Sequence, residues 1–273
     1  MNSKAYGPAV VEVLLDERLA RLTGKKSFEI TGSLIDKSII GAIKSSGTYE
    51  PHMLSLISEL LPKGGVFVDV GANIGVLSIF AGLLLGDNGS VLSIEASPTN
   101  CMYLRENIRL NNCRIITAVN MGVWDCAAEL TLSYVPEVAG CSFFSTTDVQ
   151  EGIPEKVRCD TLDAILKQQG CHRVDLIKID VEGAEIKALN GGREVFAKMR
   201  PRLLLEINLQ TLQRFFDATL RDIYEAVSQY GYCIKLIHEN GLPEEIGGYD
   251  ALKGLFGRSE RLDFLCEPKK FFS

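Results

Sequence analysis

A glycine-containing turn with an acid just ahead of it is the first segment whose residue types could hold a ligand. The apolar run at 66–70 contains Asp69 and leads into Gly71-Ala72-Asn73-Ile74-Gly75. In a doubly wound sheet, the first strand-to-helix turn makes the closest approach to a ligand. Asn73 stands where a dinucleotide fingerprint has its second glycine, and Asp69 repels phosphates. The turn therefore favours a cationic ligand over a pyrophosphate, although alone it could be a tight turn capped by Asn73.

Glu95 is a second carboxylate, at the end of the next apolar run and 24 positions after Gly71. At that point a carboxylate can accept hydrogen bonds from both hydroxyls of a ribose. Two acids at neighbouring strand ends repel each other unless a ligand or solvent lies between them. Asp69 and Glu95 together therefore predict a site for an adenosyl-type ligand.

Three further carboxylates, Asp180, Glu182 and Glu206, follow two later strands. Side-chain alternation along the apolar run that ends at Asp180 puts Lys178 on the same face as Asp180. An unpaired acid is costly to bury, so we expect Lys178 to form a structural ion pair with one of these acids. Strand ends are where α/β enzymes place their chemistry. We therefore predict Asp180, Glu182 and Glu206 as the catalytic residues.

Two kinds of chemistry are open to these three acids. A carboxylate in a partly dry cleft can act as a general base that removes a hydroxyl proton. The same acids, with Asn208, could instead hold a divalent metal that lowers the pKa of a hydroxyl group. We favour the reaction without a metal and predict no metal ligands, because the acids are less densely spaced than a Mg²⁺ site requires.

Strands that alternate with helices from residue 66 onward must position these residues. The strands are apolar on both faces, which is typical of a parallel sheet between two layers of helices. The right-handed crossover rule then favours a doubly wound α/β sheet. We predict an N-terminal helical or mixed cap over residues 1–60, opening with an amphipathic helix, and a second domain over residues 61–273. The pattern also predicts one long helix over about 212–230, and glycines at 247, 248, 254 and 257 predict a mobile loop before the last strand.

Composition limits the class of protein. Of the 273 residues, 46% are hydrophobic and 23% are charged, as in soluble globular proteins, and the formal net charge is −6. Without a basic run, a nucleic-acid partner is not expected. The eight cysteines show no C-x-x-C spacing and are typical of reduced thiols. No apolar run reaches the ~20 residues of a membrane span, so we expect a cytoplasmic protein without a membrane partner and leave its oligomeric state open.

The segments around these acids resemble the FkbM family of class I S-adenosylmethionine-dependent methyltransferases. The similar segments, in chain order, are 49–51, 69–75, 95–98, 161–163, 175–185 and 200–206. They follow the order of the family, and the stretch 178–185 is the most distinctive. The resemblance implies S-adenosylmethionine as the cofactor and a Rossmann-like sheet of seven strands with the last strand antiparallel.

By this resemblance, each predicted cofactor residue contacts one part of S-adenosylmethionine. The methionine half lies in the glycine turn, Glu95 holds the ribose, and Trp124 borders the adenine. Pro51 can start a helix that holds the two residues ahead of it over the cofactor. The full set is Tyr49, Glu50, Asp69, Gly71, Ala72, Asn73, Gly75, Glu95, Ala96, Ser97 and Trp124.

The activity that the resemblance implies is O-methylation of a hydroxyl on a small-molecule, sugar or polyketide-like acceptor. Methyl transfer from a sulfonium is an in-line displacement, so alignment of the reacting atoms supplies much of the acceleration. Two other functions stay open. An NAD-dependent oxidoreductase or epimerase would use the same acid, but the sequence lacks its third phosphate-binding glycine. A protein of this fold could also bind adenosyl ligands without catalysis.

Overall fold

Strands and helices alternate along most of the chain in the computed structural model, which describes residues 7–141, 143–144, 152–216, 218–257 and 259–269. The strands are β1 Pro8–Leu14, β2 Ser27–Ser33, β3 Val66–Val70, β4 Ser90–Glu95, β5 Ile116–Asn120, β6 Gly122–Trp124, β7 Ala128–Tyr134, β8 Phe143–Phe144, β9 Ile153–Thr161, β10 Leu176–Ile179, β11 Arg202–Asn208, β12 Tyr232–Ile237, β13 Pro243–Glu245 and β14 Arg261–Pro268.

The helices are α1 Glu17–Thr23, α2 Ile40–Ser46, α3 Pro51–Leu60, α4 Val76–Leu85, α5 Pro98–Leu110, α6 Leu162–Gln168, α7 Glu185–Gly191, α8 Leu209–Phe216, α9 Leu220–Ser228 and α10 Tyr249–Leu255. Shorter helical turns of 3-10 or π type cover Gly86–Asn88, Pro136–Cys141 and Val195–Met199. Within the described part of the chain, no helix has both the length and the apolar character needed to cross a bilayer.

The large sheet is doubly wound and has the order β13-β12-β14-β11-β10-β3-β4-β5. Its strands β3, β4, β5, β10 and β11 run parallel, and β14 is antiparallel to both of its neighbours. This confirms the predicted α/β sheet with an antiparallel last strand, to which the short β13 adds one further strand at the edge. The chain changes direction of winding between β3 and β10, and such a switch point opens a crevice for ligands beyond the strand ends.

Apolar side chains cover both faces of the central strands. Every residue of β10 is buried, and α4 is apolar along its length apart from Ser78. On one face, α4 packs with cap residues such as Phe28 and Ile40, while α7 and α9 pack on the other. The cap therefore shares a core with the sheet. The predicted division at residue 60 coincides with the end of α3, and we retain it as a prediction.

The prediction of an amphipathic helix at the N-terminus is wrong for residues 8–14, which form β1. Alternate residues Ala9, Val11 and Val13 are buried, and β1 pairs antiparallel with β2. β-Branched side chains with a period of two favour a half-buried strand. The helix begins only after this strand, with Asp16 as the N-cap of α1.

Two predictions near the C-terminus also need correction. The single helix expected over 212–230 is divided into α8 and α9, because Thr219 begins the second helix through a capping box with Asp222. The glycine-rich segment expected to be a mobile loop contains α10, which follows Gly248 directly. A side-chain cap thus sets the start of α9, whereas α10 begins after Gly248 without one.

A second sheet, of order β6-β9-β7-β8, follows β5 along the chain. Its strand β9 pairs parallel with β6 and antiparallel with β7. Three of its apolar residues, Val123, Leu132 and Phe144, face the cavity at the ends of the large sheet. This sheet therefore supplies an apolar wall to the site.

Candidate functional site

A cavity lies at the C-terminal ends of β3, β4 and β10, at the switch point of the large sheet. It is a concave site that is partly open to solvent, as small-molecule sites commonly are. The predicted site residues that line it are Tyr49, Glu50, Asp69, Gly71, Ala72, Asn73, Gly75, Glu95, Ala96, Asp180 and Glu182. The structure thus brings together segments that are far apart in the sequence.

The glycine turn packs directly against the end of β10. Gly71 has a φ of +81°, and a Cβ atom on it would overlap the carbonyl oxygen of Asp180. Gly75 has a φ of +92° and lies against the side chain of Leu104. Asn73 also has a positive φ, 51°, and its Oδ1 accepts a hydrogen bond of 2.8 Å from the Ile74 N–H. Glycine at both ends of the turn is what allows this close approach.

Glu95 is buried at the end of β4, and both of its oxygens are held by backbone N–H groups. Oε2 accepts from Asn73 at 2.8 Å, and Oε1 accepts from Ser97 at 2.8 Å. Burial raises the pKa of Glu95 to about 7, although these two hydrogen bonds oppose the shift. A carboxylate oxygen can accept more than one hydrogen bond. Glu95 therefore keeps acceptor capacity toward the cavity.

Lys178 stands at the centre of the charged side chains. It pairs across the strands with Asp69 in register, and its Nζ lies 2.7 Å from Asp180 Oδ2. Burial opposes its charge, but Asp180, Glu50, Asp69 and Glu206 together raise the pKa of Lys178. The predicted structural ion pair of Lys178 is confirmed.

Asp69 is held in place by hydroxyl groups below the cavity. Its Oδ2 accepts a hydrogen bond of 2.6 Å from Ser78 Oγ, which in turn accepts one of 2.7 Å from Ser93 Oγ. Burial raises the pKa of Asp69, and the Lys178 ammonium opposes that shift. This chain of hydroxyls fixes the orientation of the carboxylate toward the cavity.

Asp180, Glu182 and Glu206 form an acidic rim beside the glycine turn. One carboxylate oxygen from each lies within 4.8 Å of the others. Burial and the neighbouring Asp180 carboxylate raise the pKa of Glu206, whereas Lys178 and Arg261 overcome burial and hold the pKa of Asp180 below its usual range. The two pKa values thus shift in opposite directions, and Asp180 is the more acidic carboxyl of the pair.

Arg261 closes this rim from the start of β14. Its Nη2 lies 2.5 Å from Glu206 Oε2, and its side chain is 46% exposed while that of Glu206 is 4% exposed. Arg261 lines the cavity and Glu206 lies behind it. Glu206 is therefore the member of the rim that does not line the cavity.

Tyr49 and Glu50 reach the cavity from the cap, directly ahead of α3. Pro51 begins that helix as predicted, and Glu50 precedes it with a φ of 41°. Burial and then the Glu50 carboxylate raise the pKa of Tyr49, while burial raises the pKa of Glu50 against the opposing charge of Lys178. Left-handed backbone at a residue with a side chain is uncommon and concentrates at functional sites.

The loop that carries the rim is pinned by Glu185. Its Oε1 accepts hydrogen bonds from Gly183 N–H at 2.9 Å and from Val181 N–H at 3.4 Å. Burial raises the pKa of Glu185 to about 8. Glu182, between the two bonded residues, adopts a φ of 50°. Glu185 therefore acts on the shape of the loop rather than on the cavity.

Two predicted cofactor residues lie away from the cavity lining. Ser97 is the N-cap of α5, and its Oγ accepts a hydrogen bond from Asn100 N–H. Trp124 is 7% exposed and packs between the rings of Phe144 and Phe216. Phe144, rather than Trp124, lines the cavity. Contact of Ser97 and Trp124 with the cofactor stays a prediction.

Several cavity residues were not identified in the sequence. Ser38 and Ala139 form a cover, joined because Asp36 Oδ1 accepts from both of their backbone N–H groups, at 3.0 and 3.1 Å. Arg261 and Asn100 also line the cavity. None of these residues ends a strand before a glycine turn, so no local pattern marked them.

A known protein family matches the part of the chain that contains this site. The family described as "Methyltransferase FkbM domain" matches residues 69–234, from the acid of the glycine turn to β12. This range holds the glycine turn, Glu95 and the acidic rim. It covers more than half of the chain.

Individual relatives match shorter parts of the chain. "Methyltransferase sdnD" of Sordaria araneosa is 29% identical over 160 residues, covering 48% of this chain and 61% of that protein. The "Probable cobalt-precorrin-6B C(15)-methyltransferase (decarboxylating)" of Sulfolobus acidocaldarius is 31% identical over 124 residues, covering 43% of this chain and 62% of that protein. The matches thus span about three-fifths of the length of these relatives.

A crystal structure shares the fold. It is that of methyltransferase FkbM from Methylobacillus flagellatus KT, with a TM-score of 0.51, 19% sequence identity, and coverage of 79% of this chain and 47% of that chain. At this identity the likeness concerns the fold alone. It agrees with the doubly wound sheet described above.

Proposed function

The chain belongs to the FkbM family of S-adenosylmethionine-dependent methyltransferases, and from that membership we propose that it O-methylates a hydroxyl group of a small-molecule, sugar or polyketide-like acceptor. The observation that carries the proposal is the acidic rim at the open side of the glycine turn. There Asp180 and Glu182 line the same cavity as Gly71 and Glu95. A proton acceptor thus lies beside a site that suits an adenosyl ligand.

The cavity lining fits a cationic adenosyl ligand. Gly71 lines the cavity without a side chain of its own, and the carboxylates of Asp69, Glu50 and Asp180 favour a positive charge. When bound, S-adenosylmethionine supplies a methyl group activated by a sulfonium cation. We propose that the glycine turn and Asp69 hold its methionine half and that Glu95 holds its ribose.

Asp180 is the residue that we propose to receive the hydroxyl proton of the acceptor. Lys178 and Arg261 keep the pKa of Asp180 low despite burial, so that the carboxylate is charged at neutral pH and accepts a hydrogen bond from the hydroxyl. A carboxylate of low pKa is a weak base. The proton is therefore transferred late, when the new carbon–oxygen bond has made the hydroxyl acidic. Glu182 faces the acceptor with Asp180, and Glu206 supports it.

Two positively charged side chains form ion pairs with the acidic rim. Lys178 neutralises Asp180 at 2.7 Å, and Arg261 neutralises Glu206 at 2.5 Å. The three carboxylates are spaced so that a divalent cation could also bind them. We propose the reaction without a metal, because these two side chains already supply charge that a divalent ion would bring.

A labelled methyl-transfer screen tests this proposal. The protein is incubated with S-adenosylmethionine carrying tritium in the methyl group and with a panel of sugars, polyketide-like alcohols, amines and carbon acids. Carbon acids are included because one relative is described as a C(15)-methyltransferase. We expect label in a hydroxyl compound, in a product that resists alkaline hydrolysis because it is an ether and not an ester.

Asp180→Asn is the matched variant for this screen, because it keeps the size of the side chain and removes its charge. It should bind S-adenosylhomocysteine and transfer little label. Label found only on carbon or nitrogen would contradict O-methylation. Ligand binding with no transfer to any acceptor class would instead support the non-catalytic alternative.

A further inference from the structure

Asn100 carries a buried amide oxygen without a partner. The residue lies in the first turn of α5, is 1% exposed and lines the cavity. Within the described residues, no group donates a hydrogen bond to its Oδ1. A buried acceptor that stays unsatisfied loses its bonds to water without replacement, so it calls for a ligand or a bound water.

The neighbours of Asn100 fix the orientation of its amide group. Nδ2 donates a hydrogen bond of 3.2 Å to the carbonyl oxygen of Ala139. Exchange of the oxygen and nitrogen positions would place two acceptors against each other there, so the alternative orientation is disfavoured. The backbone N–H of Asn100 is also bonded, to Ser97 Oγ at 3.1 Å. Oδ1 is therefore the polar group of this side chain that remains without a partner, on a residue that lines the cavity.

Asn100 shares one wall of the cavity with Glu95. The carbonyl oxygen of Ala139 also accepts from Asn73 Nδ2 at 3.1 Å, and the backbone N–H of Asn73 donates to Glu95 Oε2 at 2.8 Å. Asn100, Asn73 and Glu95 are thus linked by hydrogen bonds, through the carbonyl oxygen of Ala139 and the backbone N–H of Asn73. Each oxygen of Glu95 already accepts one backbone N–H, which limits how many further donors it can satisfy.

We propose that Asn100 is a specificity-determining residue whose Oδ1 accepts a hydrogen bond from one ribose hydroxyl, while Glu95 accepts one from the other. This inference rests on the proposed binding of an adenosyl cofactor. The adenine is expected elsewhere, beside the apolar lining formed by Met121, Val123 and Leu132. Each acceptor then binds one hydroxyl. A ligand that lacks either the 2′- or the 3′-hydroxyl leaves one acceptor without a partner, so the site selects ribose over both deoxyriboses.

Calorimetric titrations of the wild-type protein, Asn100→Ala and Asn100→Asp test this division. The ligands are S-adenosylhomocysteine and its 2′-deoxy and 3′-deoxy analogues. We expect Asn100→Ala to bind S-adenosylhomocysteine about 3- to 10-fold more weakly than the wild type. The variant should bind one deoxy analogue as tightly as the parent ligand, because it no longer senses that hydroxyl, and should still discriminate against the other analogue. Asn100→Asp keeps an acceptor oxygen but loses the hydrogen bond from Nδ2 to Ala139, so it should bind all three ligands more weakly and keep both preferences.

Thr99→Ala is the matched control, since Thr99 lies on the same turn and bonds Glu155 instead of the cavity. It should bind all three ligands as the wild type does. If Asn100→Ala does not fold, judged by its melting transition, Asn100→Ser carries the same test, because its shorter side chain removes the amide oxygen, and loss of one preference is again expected.

Two results would overturn the role of Asn100. In one, Asn100→Ala discriminates against both deoxy analogues as the wild type does, which would leave water as the partner of Oδ1. In the other, it loses discrimination against an analogue without the 6-amino group, which would place the adenine at Asn100. A wild-type protein that binds no S-adenosylhomocysteine would overturn the cofactor assignment itself, a result separable from both.

Discussion

The carbonyl oxygen of Asp180 occupies the place that a Cβ atom on Gly71 would take. The same two strand ends are joined by a hydrogen bond of 3.1 Å from Asp180 N–H to the carbonyl oxygen of Val70. The proposed cofactor turn and the acidic rim are therefore in direct backbone contact. A change in the turn must displace the residue that we propose as the proton acceptor.

Gly71→Ala should damage both binding and stability. A left-handed conformation costs a non-glycine residue about 1–2 kcal/mol, and overpacking adds about 1–3 kcal/mol, because the overlap is with backbone that cannot rotate away. We expect a lower free energy of unfolding in denaturant titrations and binding of S-adenosylhomocysteine weakened more than about tenfold in calorimetry.

Gly254→Ala is the control for this substitution. A Cβ atom on Gly254 meets nothing within 4 Å, and the residue lies inside α10. Alanine there should leave binding unchanged and stability equal or raised by up to about 1 kcal/mol. Normal ligand affinity in Gly71→Ala would separate the glycine turn from the cofactor site.

Glu95 should make cofactor affinity depend on pH. Burial raises the pKa of Glu95 to about 7, so the carboxyl group of the free protein is largely protonated at pH 6 and ionised at pH 8. Hydroxyl donors bind an ionised carboxylate more strongly. Affinity for S-adenosylhomocysteine should therefore rise between about pH 6 and 8, and calorimetry across this range measures it.

Two substitutions separate charge from contact at this residue. Glu95→Gln should remove the pH dependence, and Glu95→Ala should weaken binding by ~1.5–3 kcal/mol, about tenfold to a hundredfold or somewhat more. Because the folded pKa lies above the unfolded value, the wild-type carboxyl also lowers the free energy of unfolding as pH rises from about 4.5 to 7. Glu95→Gln should lack that decline, and an unchanged dissociation constant in Glu95→Ala would remove the ribose assignment.

Tyr49 and Glu50 should become protected when ligand binds. Both line the cavity, and Glu50 holds a left-handed conformation at the start of α3. A ligand that contacts them should reduce local opening, so we expect slower hydrogen exchange over residues 45–52 with S-adenosylhomocysteine. The peptide over 249–255, in α10, serves as the unaffected reference. Equal exchange with and without ligand at 45–52 would place this segment away from the site.

The sequence predicts those parts of the site that follow from local pattern. Asp69 and Glu95 each end a β-type apolar run beside a turn, and parallel strands bring such ends together. Alternation likewise placed Lys178 beside Asp180, where the structure has an ion pair of 2.7 Å. The glycine turn, strand ends and sheet direction are thus readable because each depends on a few neighbouring residues.

The rest of the site depends on contacts between distant segments. Ala139 meets Asn100 only because the second sheet returns over α5, and Arg261 meets Glu206 through the antiparallel pairing of β14 with β11. No spacing in the sequence encodes these approaches. The ring of Trp124 is likewise placed by a distant segment, since it packs beside Phe144. Burial against a neighbour is decided by tertiary packing.

The acidic rim should lose turnover without losing cofactor affinity when Asp180 is changed. A general base contributes ~10²–10⁴-fold, so Asp180→Asn should depress the rate of methyl transfer by that range while the dissociation constant of S-adenosylhomocysteine changes little. Glu182→Gln should show a smaller loss of the same kind. Single-turnover transfer of the labelled methyl group, once an acceptor is known, measures the rate for both variants, and calorimetry measures their dissociation constants.

Chelation distinguishes a base from a metal ligand at the same residues. Asp180, Glu182 and Glu206 lie within reach of one divalent ion, but Lys178 and Arg261 already neutralise two of them. If Lys178 and Arg261 supply all the positive charge that the reaction needs, protein treated with EDTA and then freed of the chelator should transfer methyl groups at the same rate as untreated protein. A metal-dependent enzyme would instead lose turnover and regain it with Mg²⁺ or Mn²⁺. Recovery of turnover with the metal in the wild-type protein, but not in Asp180→Asn, would show that the rim carboxylates act as metal ligands.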